Sequence, residues 1–182
     1  MKAPLCTLFY ILGCFFLLSV GHAPPVKMQT HFISIPKLKP KFVGTSIQKS
    51  DETNCLAKAI YHEGRGESIK TQVMIAEVTI NRVKDSSTMF PYSICQVIHQ
   101  RRTKGVCQYT WVCGRHPIKE KAAWIRSQLI AQWLYKHYYL ERDIPDLTKG
   151  SLYFVTLETH RGWMDSLERK VKSDHMQFLA AD

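Results

Sequence analysis

The sequence contains no long run of lysine and arginine interleaved with aromatics, no internal repeat, and no acidic residue in its first fifty positions. The first absence argues against nucleic acid as a partner, because such binding leaves a basic stripe or patch. The second argues against solenoids and propellers, which repeat one supersecondary unit at a fixed period. Glycine and proline, nine and eight among 182 residues, sit near average usage, so the chain is neither collagen-like nor of low complexity. What remains is 45% hydrophobic and 11% aromatic, enough for a packed core, at a length that suits one ordinary domain.

The charge is lopsided. The net +10 includes six lysines in residues 1–50 (Lys2, Lys27, Lys37, Lys39, Lys41 and Lys49). Removing those six leaves nineteen basic against fifteen acidic residues, only +4, for the rest. A single lysine precedes an apolar stretch from Leu5 to Val20, and the small residues Ser19, Gly21 and Ala23 stand ahead of Pro24 and Pro25. Residues 1–23 therefore read as a secretory signal peptide or, uncleaved, as an N-terminal anchor. Residues 24–50, with four prolines, five lysines and no acid, read as a basic linker able to hold the domain near an anionic wall or membrane surface. Residues 51–182 form the domain proper, and an exported location follows: periplasmic, cell wall or extracellular.

Loss of Cys6 and Cys14 with the signal leaves Cys55, Cys95, Cys107 and Cys113. An even number in an exported chain implies disulfides. Of the three connectivities, Cys107–Cys113 as a short local loop with Cys55–Cys95 joining distant segments is preferred. A four-cysteine zinc site uses two closely spaced pairs, and neither Cys55 nor Cys95 has such a neighbour, so no metal is expected.

Ser50 or Asp51 can cap a first helix. At about 100° per residue, Cys55, Leu56, Ala59 and Ile60 form one stripe, with Glu63 in its middle. Gly64 and Gly66 then end the helix. A carboxyl on a buried face at a helix C-terminus is disfavoured as an anion by desolvation and by the helix dipole, which makes Glu63 a candidate general acid. The alternative is that Arg65 pairs with Glu63 or Glu67 and merely locks the turn. His62-Glu63 does not open a zinc-protease helix, because the second histidine of H-E-x-x-H is replaced by Gly66.

A second helix, about 69–83, places Val73, Ala76, Ile80 and Val83 on one face. Glu77 lies beside it, either a possible second carboxylate of the site or a buried partner for Arg82, and Asn81 reads as a capping or packing residue. Ser93 can cap a short helix carrying Ile94, Val97 and Ile98. The loop CQYTWVC displays Gln108, Tyr109 and Trp111, suited to a sugar groove or, alternatively, packed inward. Pro117 opens the longest helix, to about Tyr139, with Ala122, Ile125, Leu129 and Trp133 as its core stripe. SLYFVTL reads as a β segment, and the tail offers His160, Trp163 and His175.

The blocks CLAKAIYHEGRGES, TQVMIAEVTINRV, FPYSICQVIHQ, CQYTWVC and GSLYFVTLETHRGW, with a late Asp174-His175, resemble in sequence and order the SleB/CwlJ-type cell wall hydrolases, a family that includes spore cortex-lytic enzymes. The resemblance spans about residues 54–178. It implies a compact lysozyme-like domain, α+β and mainly α with a small β segment, that acts as a monomer on peptidoglycan without a cofactor. It maps the family's catalytic glutamate onto Glu63 and gives Glu67 a supporting or groove role. The substrate-binding candidates are then Glu67, Gln108, Tyr109, Trp111, Tyr153, His160 and Trp163. The implied activity is cleavage of the linkage between N-acetylmuramic acid and N-acetylglucosamine, as a lytic transglycosylase; the alternatives are a muramidase and a non-catalytic wall-binding protein. The chain departs from the pattern at Gly64, where alanine is common, at Thr71, where glycine is frequent, and at Gly114-Arg115.

Overall fold

The computed structural model describes residues 46–101, 105–139 and 144–181. The predicted signal or anchor segment and nearly all of the predicted linker lie outside these residues. Five helices precede three strands: α1 (Ser46–Gly64), α2 (Ile69–Lys84), α3 (Ile94–His99), α4 (Thr110–Cys113), α5 (Lys121–Tyr139), then β1 (Tyr153–Thr156), β2 (Leu167–Ser173) and β3 (Met176–Ala181). The expected α+β, mainly α architecture is what the chain adopts. Among the described residues no helix is long and apolar enough to cross a membrane.

Helix α2 is the hub. Its residues Thr71, Gln72, Met74 to Ile80, Arg82 and Val83 are buried, so it is enclosed almost all round, the pattern of a helix inside a core. Ala76, Ile80 and Val83 meet Leu56, Ile60, Ile98 and Leu134 of α1, α3 and α5. Met74, Ile75 and Val78 meet Met176 and Phe178 of the sheet. Its start is fixed by Ser68, whose hydroxyl accepts from Thr71 N.

The sheet runs β1-β3-β2, all antiparallel, with the buried β3 in the centre. Ser173 pairs with Met176, so β2 and β3 join through a two-residue turn, and its first residue, Asp174, takes φ 46°, a left-handed conformation that aspartate tolerates. This turn is latched to the α1–α2 corner. Asp174 Oδ2 accepts from Ser68 N at 2.8 Å, and the Thr71 and Ser173 hydroxyls lie 2.6 Å apart.

Both disulfides have the preferred connectivity. Cys55–Cys95 ties α1 to α3 and Cys107–Cys113 closes the loop holding α4. On the chain-entropy account they contribute roughly 4 and 2 kcal/mol respectively. Buried Glu52 accepts from Ile94 N and Cys95 N at 2.6 and 3.3 Å, so α3 is capped by it as well as by Ser93.

Three expectations need correction. α1 begins at Ser46, so Ser50 and Asp51 lie inside it and do not cap its start. α5 begins at Lys121, because 117–120 are non-helical and Tyr61 Oη accepts from Lys119 N and Glu120 N. The predicted core stripe of α5 faces outward: Ile125, Leu129 and Trp133 are 46, 62 and 45% exposed, and Ala122 is exposed too. Ala123, Ser127, Ile130, Ala131 and Leu134 are buried instead. Ala123, Ser127 and Ala131, four apart, form a ridge of small side chains that lets α5 approach its neighbours closely, as ridges-into-grooves packing requires.

Candidate active site

Glu63 is the penultimate residue of α1, and its neighbours come from distant segments. Trp111 of α4 donates Nε1–H to Glu63 Oε1 at 2.7 Å. The indole stacks against His62, centroids 4.6 Å apart, and against Tyr109 at 5.7 Å. Tyr109 Oη in turn accepts from Arg82 Nη1 at 3.1 Å. Glu63, Trp111, Tyr109 and Arg82 thus form one linked series from the end of α1 to the end of α2.

Burial pushes the Glu63 carboxyl above the usual carboxylate range, and this outweighs the opposing effects of the Trp111 hydrogen bond and the Arg82 charge. Arg65 does not neutralise it. That guanidinium bonds Glu120 at 2.8 Å and lies over the Tyr61 ring, so the turn-locking pair with Glu63 or Glu67 is not formed. Neighbouring His62 is pushed down, first by burial and then by Arg65, His116 and Lys58, and so stays neutral more readily.

Gly64 follows at once. A Cβ there would stand 2.7 Å from Ile75 Cδ1, so an alanine would force that side chain aside. The glycine lets the end of α1 settle against α2.

Beyond Tyr109 lies a cleft of about 490 Å³ lined by Arg82, Met89, Phe90, Gln100, Arg101, Gln108, Tyr153, Phe154 and Trp163. Tyr153 and Trp163 stand 5.8 Å apart in a tilted pair, and Trp163 is 46% exposed. Three of the predicted substrate contacts, Gln108, Tyr153 and Trp163, are thereby brought together. Tyr109 and Trp111 are turned inward, the first buried against Arg82 and the second committed to Glu63, so the loop is not the open aromatic display that its composition allows.

The other candidates lie elsewhere. Glu67 contacts the hairpin turn, accepting from His175 N and lying 3.3 Å from His175 Nδ1. His160 is exposed beside Asp165 at 3.4 Å. Glu77 accepts from Leu147 N at 3.1 Å and contacts the Asp146 carboxyl; it does not pair with Arg82. Burial first and Asp146 second push Glu77 up to about 8. For Asp146 burial acts upward too, but hydrogen bonds from Thr148, Gly150 and Asn81 prevail and hold it low. Asn81 crosslinks the same turn, reaching Asp146 Oδ2, Thr148 Oγ1 and Ser151 O at 3.0 to 3.2 Å.

Sequence reasoning considered Arg82 only as a partner for Glu77. It is 3% exposed, donates Nε–H to Leu152 O at 2.7 Å, and lies within 6 Å of the Phe90, Tyr109 and Tyr153 ring centres. The usable signal was an arginine one residue before Val83, at the edge of the apolar face of α2. Among the described residues no cluster of histidine, cysteine or carboxylate side chains could hold a metal ion.

The geometry can be set beside known proteins. The fold is similar to the crystal structure of the catalytic domain of the Bacillus cereus SleB protein: TM-score 0.53 and 22% identity, over 78% of this chain and 96% of that one. No curated protein matches the sequence. The model of the cell wall hydrolase family matches residues 66–179, a span that takes in α2, the disulfide loop, the cleft and nearly all of the sheet, and starts just after Glu63. The chain belongs to the cell wall hydrolase family.

Proposed function

We propose that the protein cleaves the glycan strands of peptidoglycan between N-acetylmuramic acid and N-acetylglucosamine, as a lytic transglycosylase with Glu63 as its one acid/base. The observation that carries this reading is the Glu63 carboxyl itself: raised in proton affinity by burial, oriented by Trp111, and free of any salt bridge among the described residues. Such a group holds its proton at a pH where an ordinary glutamate has lost it, and can give it to a glycosidic oxygen.

The bond then breaks through an oxocarbenium-like state. The Glu63 carboxylate left behind, with the Trp111 N–H still on it, takes the proton of the muramoyl 6-hydroxyl as that oxygen closes on C1. The product is a 1,6-anhydro sugar, and Glu63 is protonated again. An inverting or retaining hydrolase places a second carboxylate across the scissile bond. Glu77, the candidate for that place, has its partners in the 146–148 turn, which favours the single-carboxyl route. In the cleft, Tyr153 and Trp163 offer aromatic faces to sugar rings and Gln108 an amide to their polar edges. Glu67, with His175, supports the hairpin. Residues 1–23 would export the chain and the basic linker would hold it at the anionic wall.

Digestion of purified peptidoglycan by the full chain and by its Glu63→Gln variant, with mass spectrometry of the sugar ends, tests this. Anhydromuramoyl ends from the unaltered protein alone are expected. Reducing muramic ends would make it a muramidase, and no cleavage by either protein would favour a wall-binding role.

A further inference from the structure

The cleft beyond Tyr109 has a charge pattern that sugar binding alone does not require. Two of its nine lining residues are arginines and none is acidic. Arg101 is exposed at the rim, whereas Arg82 is almost wholly buried in the wall. Two of the Arg82 nitrogens are committed: Nε to Leu152 O and Nη1 to Tyr109 Oη. Both acceptors are neutral. Among the described residues no carboxylate lies within ion-pair distance of it, and Nη2 has no hydrogen-bond partner.

A buried charge with no carboxylate in direct ion-pair contact, acting on Glu63 only from beyond that distance, is costly, and a fold that retains one beside an open cleft is prepared for an anion. The planar guanidinium favours one anion geometry in particular, the two coplanar oxygens of a carboxylate. The rings of Phe90, Tyr153 and Trp163 leave a neighbouring place for the sugar that carries it.

We propose that this cleft is a subsite for a carboxylate borne on the lactyl arm of a muramoyl residue, received by Arg82 in the wall and steered by Arg101 at the rim. The inference rests on the glycan-cleaving reading above and adds to it a preference among strands. The carboxylate has two sources on such a polymer: the lactyl group itself where the peptide has been removed, or a carboxyl of the attached peptide.

Because Glu63 does not line the cleft, binding can be measured apart from cleavage. Full-length protein carrying Glu63→Gln is titrated calorimetrically with muramoyl oligosaccharides in four forms: bare lactyl acids, their methyl esters, peptide-bearing strands, and the same strands with every carboxyl amidated. In one series the acid form is expected to bind at least about tenfold more tightly than its neutral counterpart, as a charge-assisted pair in a desolvated site would give. That series names the source. Arg82→Met should abolish the contrast and Arg101→Gln should reduce it, along with its dependence on salt.

Equal affinity of acid and neutral forms in both series, or no binding of any form, overturns the subsite. The contrast is read in a protein with Arg82 intact, so poor folding of Arg82→Met does not spare the proposal. Continued cleavage by the Glu63→Gln protein would instead remove the acid assignment and leave the carboxylate comparison standing.

Discussion

The buried Glu77–Asp146 contact gives the fold a pH dependence that one substitution should remove. Glu77 is 6% exposed, its carboxyl meets that of Asp146, and it is pushed up to about 8 from an ordinary 4.5. In the unfolded chain Glu77 loses its proton near 4.5; in the folded protein it keeps it until about 8. The stability associated with the protonated form is therefore fully present below pH 4.5 and lost progressively as the pH rises toward 8. At about 1.4 kcal/mol per pH unit the interval is worth about 5 kcal/mol at most. Relaxation and water near the turn reduce this to about 2–3 kcal/mol. Glu77→Gln keeps an oxygen for Leu147 N and an N–H for Asp146 but has no proton to lose. Urea unfolding with the disulfides intact, at pH 5, 6, 7 and 8, should show the unaltered protein losing about 2 kcal/mol or more relative to the variant across the series. Parallel profiles for the two proteins would refute the reasoning, since they would mean that Glu77 titrates alike folded and unfolded.

Other expectations follow from single contacts. Trp111→Phe removes the N–H that holds the Glu63 carboxylate, so the Glu63 proton should be lost at higher pH and the alkaline limb of the pH–rate profile should move upward while kcat falls, about 10-fold or more for loss of one orienting hydrogen bond. Asp174→Ala breaks the bond to Ser68 N and puts alanine at a left-handed position; urea unfolding at pH 7 should show a lowered midpoint, with exchange of the β2–β3 turn amides accelerated. Gly64→Ala brings a methyl against Ile75, and a loss of about 1–3 kcal/mol with a lowered kcat is expected, because the substituted position directly follows Glu63 in the chain.

How much of this was legible in sequence depended on the range of the contacts involved. The α1 stripe, the Ser93 cap and the short cysteine loop are local signals, and each produced the element or bond expected. The α5 face was not legible, because both sides of KAAWIRSQLIAQWLYK are apolar and periodicity cannot choose between them. What decided it was shape: Ala123, Ser127 and Ala131 pack closely where Leu129 and Trp133 could not. β2 and β3 were passed over for a similar reason. LERKVKS is mostly polar, and only pairing with MQFLAA across Asp174-His175 makes it a strand.

The site divides along the same line. The helical arithmetic could find a carboxyl on the buried face of α1, because that needs only the register of one helix. It anticipated the burial that raises its proton affinity but not the contacts that oppose it, since Trp111 and Arg82 act on Glu63 only once the disulfide loop and the end of α2 have met. Composition likewise presented Tyr109 and Trp111 as sugar platforms, because an aromatic ring carries no sequence mark of the direction it faces. In the fold those two rings connect the acid to the buried cation, and the exposed aromatic surface passes to Tyr153 and Trp163 from the far end of the chain. A change at Tyr153 or Trp163 should therefore alter which strands bind, a change at Trp111 the pH at which Glu63 works, and a change at Arg82, which belongs to both, the two together.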